Sequence, residues 1–299
     1  MTAKVILNPY SNRWKAKARW SEAKAALEKA GVEFSLSISE SPHQIITLAR
    51  DAVQQGFSPI IAAGGDGTIG EVVNGLALAA GSDSTDIGPL GILPLGSAND
   101  LVTSLGIPLD LSQAANIIKN GHTKKMDVGK VNDYYFVNNS AMGLEPSITL
   151  IQQKIKVIKG VARYLAATVW GILKNPHWEV QLEWDEGSYE GPVCLVTIGN
   201  APRTGGFYMI PQADPFDGKL GFVHAYRPTR KELFNLLPKA MKTGEESYIH
   251  ESGVYASQMT WLKIHVKTPS PAHVDGEIFS ENIQDLFYQI QPGRLAILL

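Results

Sequence analysis

Apolar residues in the first third of the chain alternate between two spacings. Val5-Ile6-Leu7 is a continuous apolar run that stops at Asn8-Pro9, the mark of a buried strand ended by a turn. Trp20, Ala23, Leu27 and Ala30 then recur at helical spacing, with Gly31 where a C-terminal cap belongs. Val32 to Ile38 reads as a second strand. Ile45, Leu48, Ala52 and Val53 mark one face of a helix from about His43 to Gln55, closed by Gly56. A third strand, Pro59 to Ala63, leads through a glycine-rich turn into the helix-patterned segment Ile69 to Leu76. A polar loop at 81–86 then precedes a fourth strand, Pro89 to Leu93. Four alternations of strand and helix predict a parallel sheet with helices on both faces and ligands at the carboxyl ends of its strands.

From about Asp127 the pattern changes to short β-like runs separated by Gly, Pro and Asp turns: Tyr134 to Asn138, Val180 to Trp184, Val193 to Ile198, Leu220 to Ala225, Leu262 to Val266 and Leu286 to Ile290. One helical insertion, Ile151 to Leu173, interrupts them. The fold class is therefore α/β: an N-terminal α/β domain with a parallel sheet, followed by a mostly antiparallel, β-rich domain. The boundaries are 1–126 and 127–290, with the last strand, Arg294 to Leu299, returning to the first domain within 291–299.

Composition narrows the partners. The 299 residues carry 27 Lys plus Arg against 29 Asp plus Glu, a net charge of −2, so no basic footprint points to nucleic acid and an anionic ligand must be held locally. A single cysteine, Cys194, excludes an intrachain disulfide framework and fits a reducing, cytosolic compartment. The apolar stretch at the N-terminus is too short for a signal peptide, and Val161 to Leu173, interrupted by Arg163, is too short to span a bilayer. Asn138-Asn139-Ser140 matches a glycosylation sequon without any sign of secretion.

The chemistry concentrates in two strand-to-helix turns. Gly64-Gly65-Asp66-Gly67-Thr68 follows the third strand: glycines let backbone N–H groups approach an anion, and the helix N-terminus adds partial positive charge. Asp66 would repel a bare phosphate, so its carboxylate makes sense beside a metal ion or its water. Residues 65–70 also satisfy G-x-G-x-x-G, but the dinucleotide fingerprint belongs in the first βα turn, not the third. One unit later Gly96-Ser97-Ala98-Asn99-Asp100 offers a hydroxyl for a phosphate and side chains that cap a helix or fix the loop.

This pair of motifs resembles the catalytic domain of diacylglycerol kinases and their bacterial lipid-kinase relatives, whose patterns are Gly-Gly-Asp-Gly-Thr and Gly-Thr-x-Asn-Asp. Further matches run along nearly the whole chain: Asn8-Pro9, Ser39-Glu40 with His43, Gly70 to Leu76, Asn139 with Gly143, Gly205-Gly206, Asp217 to Leu220, and Asp275-Gly276-Glu277. Ser39 and Ser97 stand where the family usually has threonine, keeping the hydroxyl, and Asn12 replaces the usual glycine after Asn-Pro-x-Ser.

The resemblance implies an NAD-kinase-like and diacylglycerol-kinase-like build, with ATP between an α/β domain and a β sandwich. Its nucleotide site would comprise Asn8, Ser39, Gly64, Gly65, Asp66, Gly67, Thr68, Gly70, Glu71, Ser97 and Asn99. Catalysis would fall to Glu277 as acceptor of the alcohol proton, with Asp275 as the alternative, and to Asp66 as organiser of the metal. Magnesium would belong to the loop containing Asp214, Asp217 and, through its carbonyl, Lys219.

The implied partner is a lipid substrate at a membrane surface, reached from the cytoplasm with peripheral contact at the inner membrane face. Lys154, Lys156, Lys159 and Arg163, set among Ile151, Ile155, Ile158, Tyr164, Leu165 and Trp170, would suit either that contact or a solvated helix face. The sequence has no signal for oligomeric state or for the acceptor's identity. Three other readings compete: an NAD kinase, which shares Gly-Gly-Asp-Gly-Thr; a Rossmann-type dehydrogenase; and a non-catalytic nucleotide or lipid sensor.

Overall fold

The computed structural model of the chain describes residues 2–83, 85–155, 161–174 and 176–299, together with the backbone but not the side chains of residues 161, 162 and 164. In the first half, β1 (Ala3–Leu7), β2 (Phe34–Ile38), β3 (Ile60–Gly64) and β4 (Ile87–Pro94) form a parallel sheet in the order 2-1-3-4. The inner strands β1, β3 and β4 are mainly apolar because both faces are covered, whereas the edge strand β2 carries Ser35 and Ser37 and is only half-buried. Ile6, Ile60 and Ala62 face α2 (Gln44–Gln54) and α3 (Asp66–Ala80). Val5, Leu7, Ile61 and Ala63 face α1 (Lys15–Ala30) and α5 (Leu111–Asn120) on the other side. A short helix, α4 (Asp100–Ser104), follows β4.

Strands β5 (Thr123–Val131), β6 (Tyr134–Phe136), β7 (Asn139–Gly143), β8 (Trp178–Trp184), β9 (Gly187–Val193), β10 (Leu195–Gly199), β11 (Leu220–Ala225), β12 (Val254–Met259), β13 (Trp261–Val274) and β14 (Glu277–Leu298) build the second half with antiparallel pairings. Val180, Leu182, Phe222, Leu262, Ile264 and Tyr288 are among the residues of its core. The return of the last strand takes an unexpected form. β14 spans 22 residues, pairs with Val274 at its start, and at its end runs parallel to β4 through Leu295 and Ile297 while β5 pairs along it. One sheet therefore runs through both halves, and the sequence-based boundaries at 126/127 and 290/291 fall inside β5 and β14.

Two other expectations change. The helical insertion is two helices, α6 (Leu144–Lys154) and α7 (Val161–Lys174), rather than one from 151 to 173. Lys156, Ile158 and Lys159 lie outside the described residues. The run from Val193 to Ile198 is the end of β9 and most of β10, interrupted at Cys194. Helices α5 and α8 (Arg230–Leu236) were not anticipated, although Asp110 and Thr229 stand as their caps.

Helix α3 reaches the sheet by lying close against α2. A Cβ added to Gly75 would stand 2.5 Å from Ala49 Cβ and would also meet the Ile46 carbonyl oxygen. Gly75→Ala is therefore expected to destabilise the protein by about 1–3 kcal/mol through overpacking. Urea unfolding measures this, and an unchanged midpoint would mean that the two helices part freely.

Candidate active site

The carboxyl ends of β1, β2, β3 and β4 bring the sequence motifs together. β3 ends at Gly64, Gly65 precedes α3, and the Leu95 N–H donates to the Gly64 carbonyl at 2.9 Å. A Cβ on Gly65 would stand 2.9 Å from Gly96 Cα, so the two glycine loops lie backbone against backbone. The second loop is held from within and from the turn that follows β1. Gly96 N–H donates to Asn99 Oδ1 at 3.1 Å, Asn12 Nδ2 to the Gly96 carbonyl at 3.3 Å, and Ser97 Oγ to Asn12 Oδ1 at 2.8 Å. Asn12 takes the left-handed conformation, φ 51°, that its replacement of glycine requires. Asn8 Nδ2 and Ser11 Oγ each lie 3.1 Å from Thr68 Oγ1. Ser39 is buried beside them, its hydroxyl turned to the carbonyl of Ser41.

The acids of the second half dock on the first turns of α3. A Cβ on Gly67 would stand 3.0 Å from Glu277 Oε1, and one on Gly70 would stand 2.6 Å from Asp275 Oδ2. Each glycine of the G-x-G-x-x-G spacing thus has its own tertiary reason. Asp275, at φ 47° in the turn between β13 and β14, is buried, and its carboxylate accepts from the N–H groups of Val137, Asn138 and Asn139 at 3.1, 2.9 and 3.0 Å. Burial raises its pKa to about 7, with the neighbouring Asp66 adding to the rise and the three amides resisting it. Glu277 is exposed at the mouth of a cleft of ≈ 270 Å³ lined by Glu71, His43, Tyr134 and Phe279. Burial also raises Glu71; His43, whose Nδ1 is 3.1 Å from Glu71 Oε1, opposes this while Glu277 adds to it.

Asp66 lies at the start of α3, yet its two oxygens accept from the N–H groups of Asp100 (3.2 Å) and Leu101 (3.0 Å), capping α4. Burial raises its pKa against the pull of those amides. Asp100 in turn accepts the Gly206 N–H at 3.1 and 3.2 Å and Arg203 Nε at 3.4 Å. A chain of carboxylates and amides thus links the first glycine loop to the loop at 203–208. The sequence offered Gly205-Gly206 as a match but no signal for this partnership, because 106 residues separate Asp100 from Gly206.

The loop at 214–219 sits elsewhere, on the seam between β5 and β14. Asp214 accepts from the Phe216 N–H, and Asp217 from the Lys219 N–H and from Gln258 Nε2. Asp127, unremarked in the sequence, accepts from Gly218 and Gly293, and burial raises its pKa with Asp217 and Asp214 adding repulsion. Among the described residues no three or more Asp, Glu, His or Cys side chains are grouped closely enough to hold a metal ion, so Asp214 and Asp217 act on Asp127 by repulsion from a distance. The structure brings Asn8, Ser39, residues 64–71, Ser97, Asn99, Asp275 and Glu277 together, while Asp214, Asp217 and Lys219 belong to this separate loop.

A further acid, largely buried, went unnoticed in the sequence. Glu145 at the start of α6 accepts from Asn139 Nδ2 (3.0 Å) and Thr197 Oγ1 (3.1 Å) and lies 3.1 Å from His273 Nε2. Burial pushes its pKa up, but these partners outweigh burial and hold it below the ordinary value. Glu145 is the acidic group in the wall of a narrow apolar cavity between α6, α7 and α8 that includes Ile148, Ile172, Phe207 and Leu233.

A parallel nucleotide-type sheet whose glycine loops meet the acid turn of an antiparallel domain defines the two-domain kinase class. Residues 2–131 match the model of the diacylglycerol kinase catalytic domain, and residues 139–299 match that of the YegS C-terminal NAD kinase beta sandwich-like domain. A diacylglycerol kinase of Staphylococcus epidermidis is 31% identical over 92% of this chain and 85% of its own length. One of Staphylococcus saprophyticus is 29% identical over 92% and 88%. Among solved structures, a diacylglycerol kinase from Bacillus anthracis superposes with TM-score 0.77 at 22% identity, covering 99% and 96% of the two chains. Yeast NADH kinase gives 0.52 at 11% identity, covering 99% and 82%. The chain belongs to the diacylglycerol kinase family.

Because folded Asp275 keeps its proton to about pH 7 whereas an unfolded aspartate loses it near 3.8, the native state holds more protons in that interval and loses stability as pH rises through it. Asp275→Asn cannot titrate. It is expected to melt lower than wild type at pH 5, yet to show a smaller fall between pH 5 and pH 7.5. Thermal unfolding at both pH values decides the matter, and equal falls would refute the assignment.

Proposed function

We propose that the chain is an ATP-dependent, magnesium-requiring lipid kinase that transfers the γ-phosphate of ATP to the hydroxyl of a diacylglycerol or a related lipid. The observation that carries this reading is the docking of the Asp275-Gly276-Glu277 turn on Gly67 and Gly70, with Asn139 bonding both Asp275 and Glu145 in the wall of the apolar cavity. The exposed carboxylate of Glu277 accepts the alcohol proton as the oxygen attacks. Asp275, whose oxygens are held by three amides, fixes the turn rather than acting as base. Gly64 to Thr68 and the α3 N-terminus supply N–H groups to the phosphates, and Asn8, Ser97 and Asn99 hold the loops in place. Asp66, through its cap on α4, keeps the second loop against the first.

Asp214, Asp217 and the Lys219 carbonyl would be the residues to hold magnesium, which would supply positive charge to that acidic loop. The protein works from the cytoplasm. Among the described residues no helix is long and apolar enough to cross a membrane. Leu165, Val169, Trp170 and Leu173 instead project from α7 as an exposed apolar stripe, while Ala167 and Ile172 of the same helix are buried. This stripe supports contact of α7 with a bilayer surface at the cavity that takes the lipid tail.

Radiolabelled ATP with a lipid panel and NAD tests the reading. Label is expected in the organic phase, and label on NAD alone would overturn the proposal in favour of an NAD kinase. Glu277→Gln is expected to lower kcat by about 10²–10⁴-fold without changing the melting temperature; a near-normal rate would move the base to Asp275. Trp170→Glu should reduce binding to anionic vesicles about tenfold while sparing turnover of a short-chain, monomeric diacylglycerol. Unchanged vesicle binding would remove α7 from the membrane contact.

A further inference from the structure

Phosphoryl transfer passes through a loose transition state whose negative charge is spread over the equatorial oxygens of the moving group, and the cluster that would receive it is itself acidic. Asp66, Glu71, Asp100, Asp275 and Glu277 all lie around the first turns of α3, and the remaining groups holding the loops, Asn8, Ser11, Asn12, Thr68, Ser97 and Asn99, are neutral. Among the described residues, the hydrogen bond from a lysine or arginine into this cluster comes from Arg203. Its attachment there is slight. Nε meets Asp100 Oδ1 at 3.4 Å through a single contact, with the side chain 26% exposed. Asp100 does not depend on it, since both its oxygens already accept the Gly206 N–H. The guanidinium rests on Tyr208, donating to its hydroxyl at 3.2 Å and lying 5.0 Å from the ring centre. Gly205 and Gly206, both at positive φ, follow it in the chain and let the loop turn.

We propose that Arg203 is the cation that grips the transferring phosphoryl group. The inference rests on the phosphotransferase reading above, whichever alcohol is the acceptor. The guanidinium leaves its single contact with Asp100 for the γ-phosphate oxygens, to which it can donate two parallel hydrogen bonds. As the acceptor oxygen forms its bond to phosphorus, the bond to the leaving nucleoside diphosphate breaks. The alcohol proton passes to Glu277, and Arg203 keeps all its protons throughout. The Asp100–Gly206 bonds remain and hold the loop at the site while the side chain moves.

The test compares wild type with Arg203→Gln, Arg203→Lys and Arg203→Ala. Arg203→Gln is expected to lose about 100-fold or more in kcat with the acceptor KM within about threefold, because the contact is made to the phosphoryl group in the transition state. Arg203→Lys should recover only a small part of the rate. Added guanidinium ion at millimolar concentration should partly restore Arg203→Ala, a rescue that a merely loop-holding role would not produce. In binding measurements wild type should prefer ATP to ADP, and Arg203→Gln should lose that preference. A normal kcat in Arg203→Gln, or a loss that appears only in the acceptor KM or melting temperature without guanidinium rescue, would overturn the proposal. If wild type phosphorylates NAD and no lipid, the lipid reading falls and the Arg203 arms are read with NAD. If it phosphorylates neither, an unchanged ATP-to-ADP affinity ratio in Arg203→Gln still overturns the assignment.

Discussion

The structure depends on how closely one backbone and two carboxylates approach the start of α3. Gly65 admits the Cα of Gly96, Gly67 admits the carboxylate of Glu277, and Gly70 admits that of Asp275. A methyl group at Gly65 would push the second glycine loop off the first, and one at Gly70 would meet a carboxylate that three amides hold still. Close packing leaves little room for such adjustments. Everything that gathers at the site therefore arrives through absent side chains: the loop after β4, the acid turn between β13 and β14, and the cleft between them.

That approach crowds carboxylates, which burial alone would force to neutralise. The fold meets the cost with backbone amides. Asp275 takes three from the junction of β6 and β7, Asp66 takes two from the start of α4, Asp100 takes the amide of Gly206, and Asp127 takes those of Gly218 and Gly293. Each of these bonds joins segments far apart in the chain, so the carboxylates act as fasteners between elements as well as charges. The pKa values of Asp66, Asp127 and Asp275 remain raised, which means the amides moderate the burial without cancelling it.

Much of the fold was legible because the signals are local. Continuous apolar runs ending at Asn8-Pro9, Gly64 and Pro94 mark strands covered on both faces, and these carry the loops to one end of the sheet. The acid turn was legible as chemistry, since two acids flanking a glycine are visible without a structure. What was hidden depends on distance in sequence. Nothing near Asp100 announces Gly206, nothing near Asp127 announces Gly293, and the reason for G-x-G-x-x-G lies in residues near 275 and 96. The spacing suggested a phosphate cradle by itself; in the folded chain it is first a docking surface. The insertion was read as one helix over 151–173; α6 instead stops before Ile155, which is extended, and no glycine or proline near that residue marks the end.

The loop at 203–208 shows how the two halves of the site are bound to each other. Thr204 and Phe207 line the apolar cavity, while Arg203 and Gly206 in the same loop bond to Asp100. Asp100 begins the helix that Asp66 caps, and Asp66 belongs to the glycine loop. A ligand that pushes Phe207 outward must therefore either strain the Gly206–Asp100 bonds or be absorbed by the two glycines between them. Since Gly205 and Gly206 occupy the left-handed region at φ 60° and 85°, the loop can turn there at little cost while Asp100 keeps its amide. The wall of the cavity and the glycine loops are thus linked through Gly206, Asp100 and Asp66, by backbone N–H groups that donate to the carboxylates of two motif aspartates.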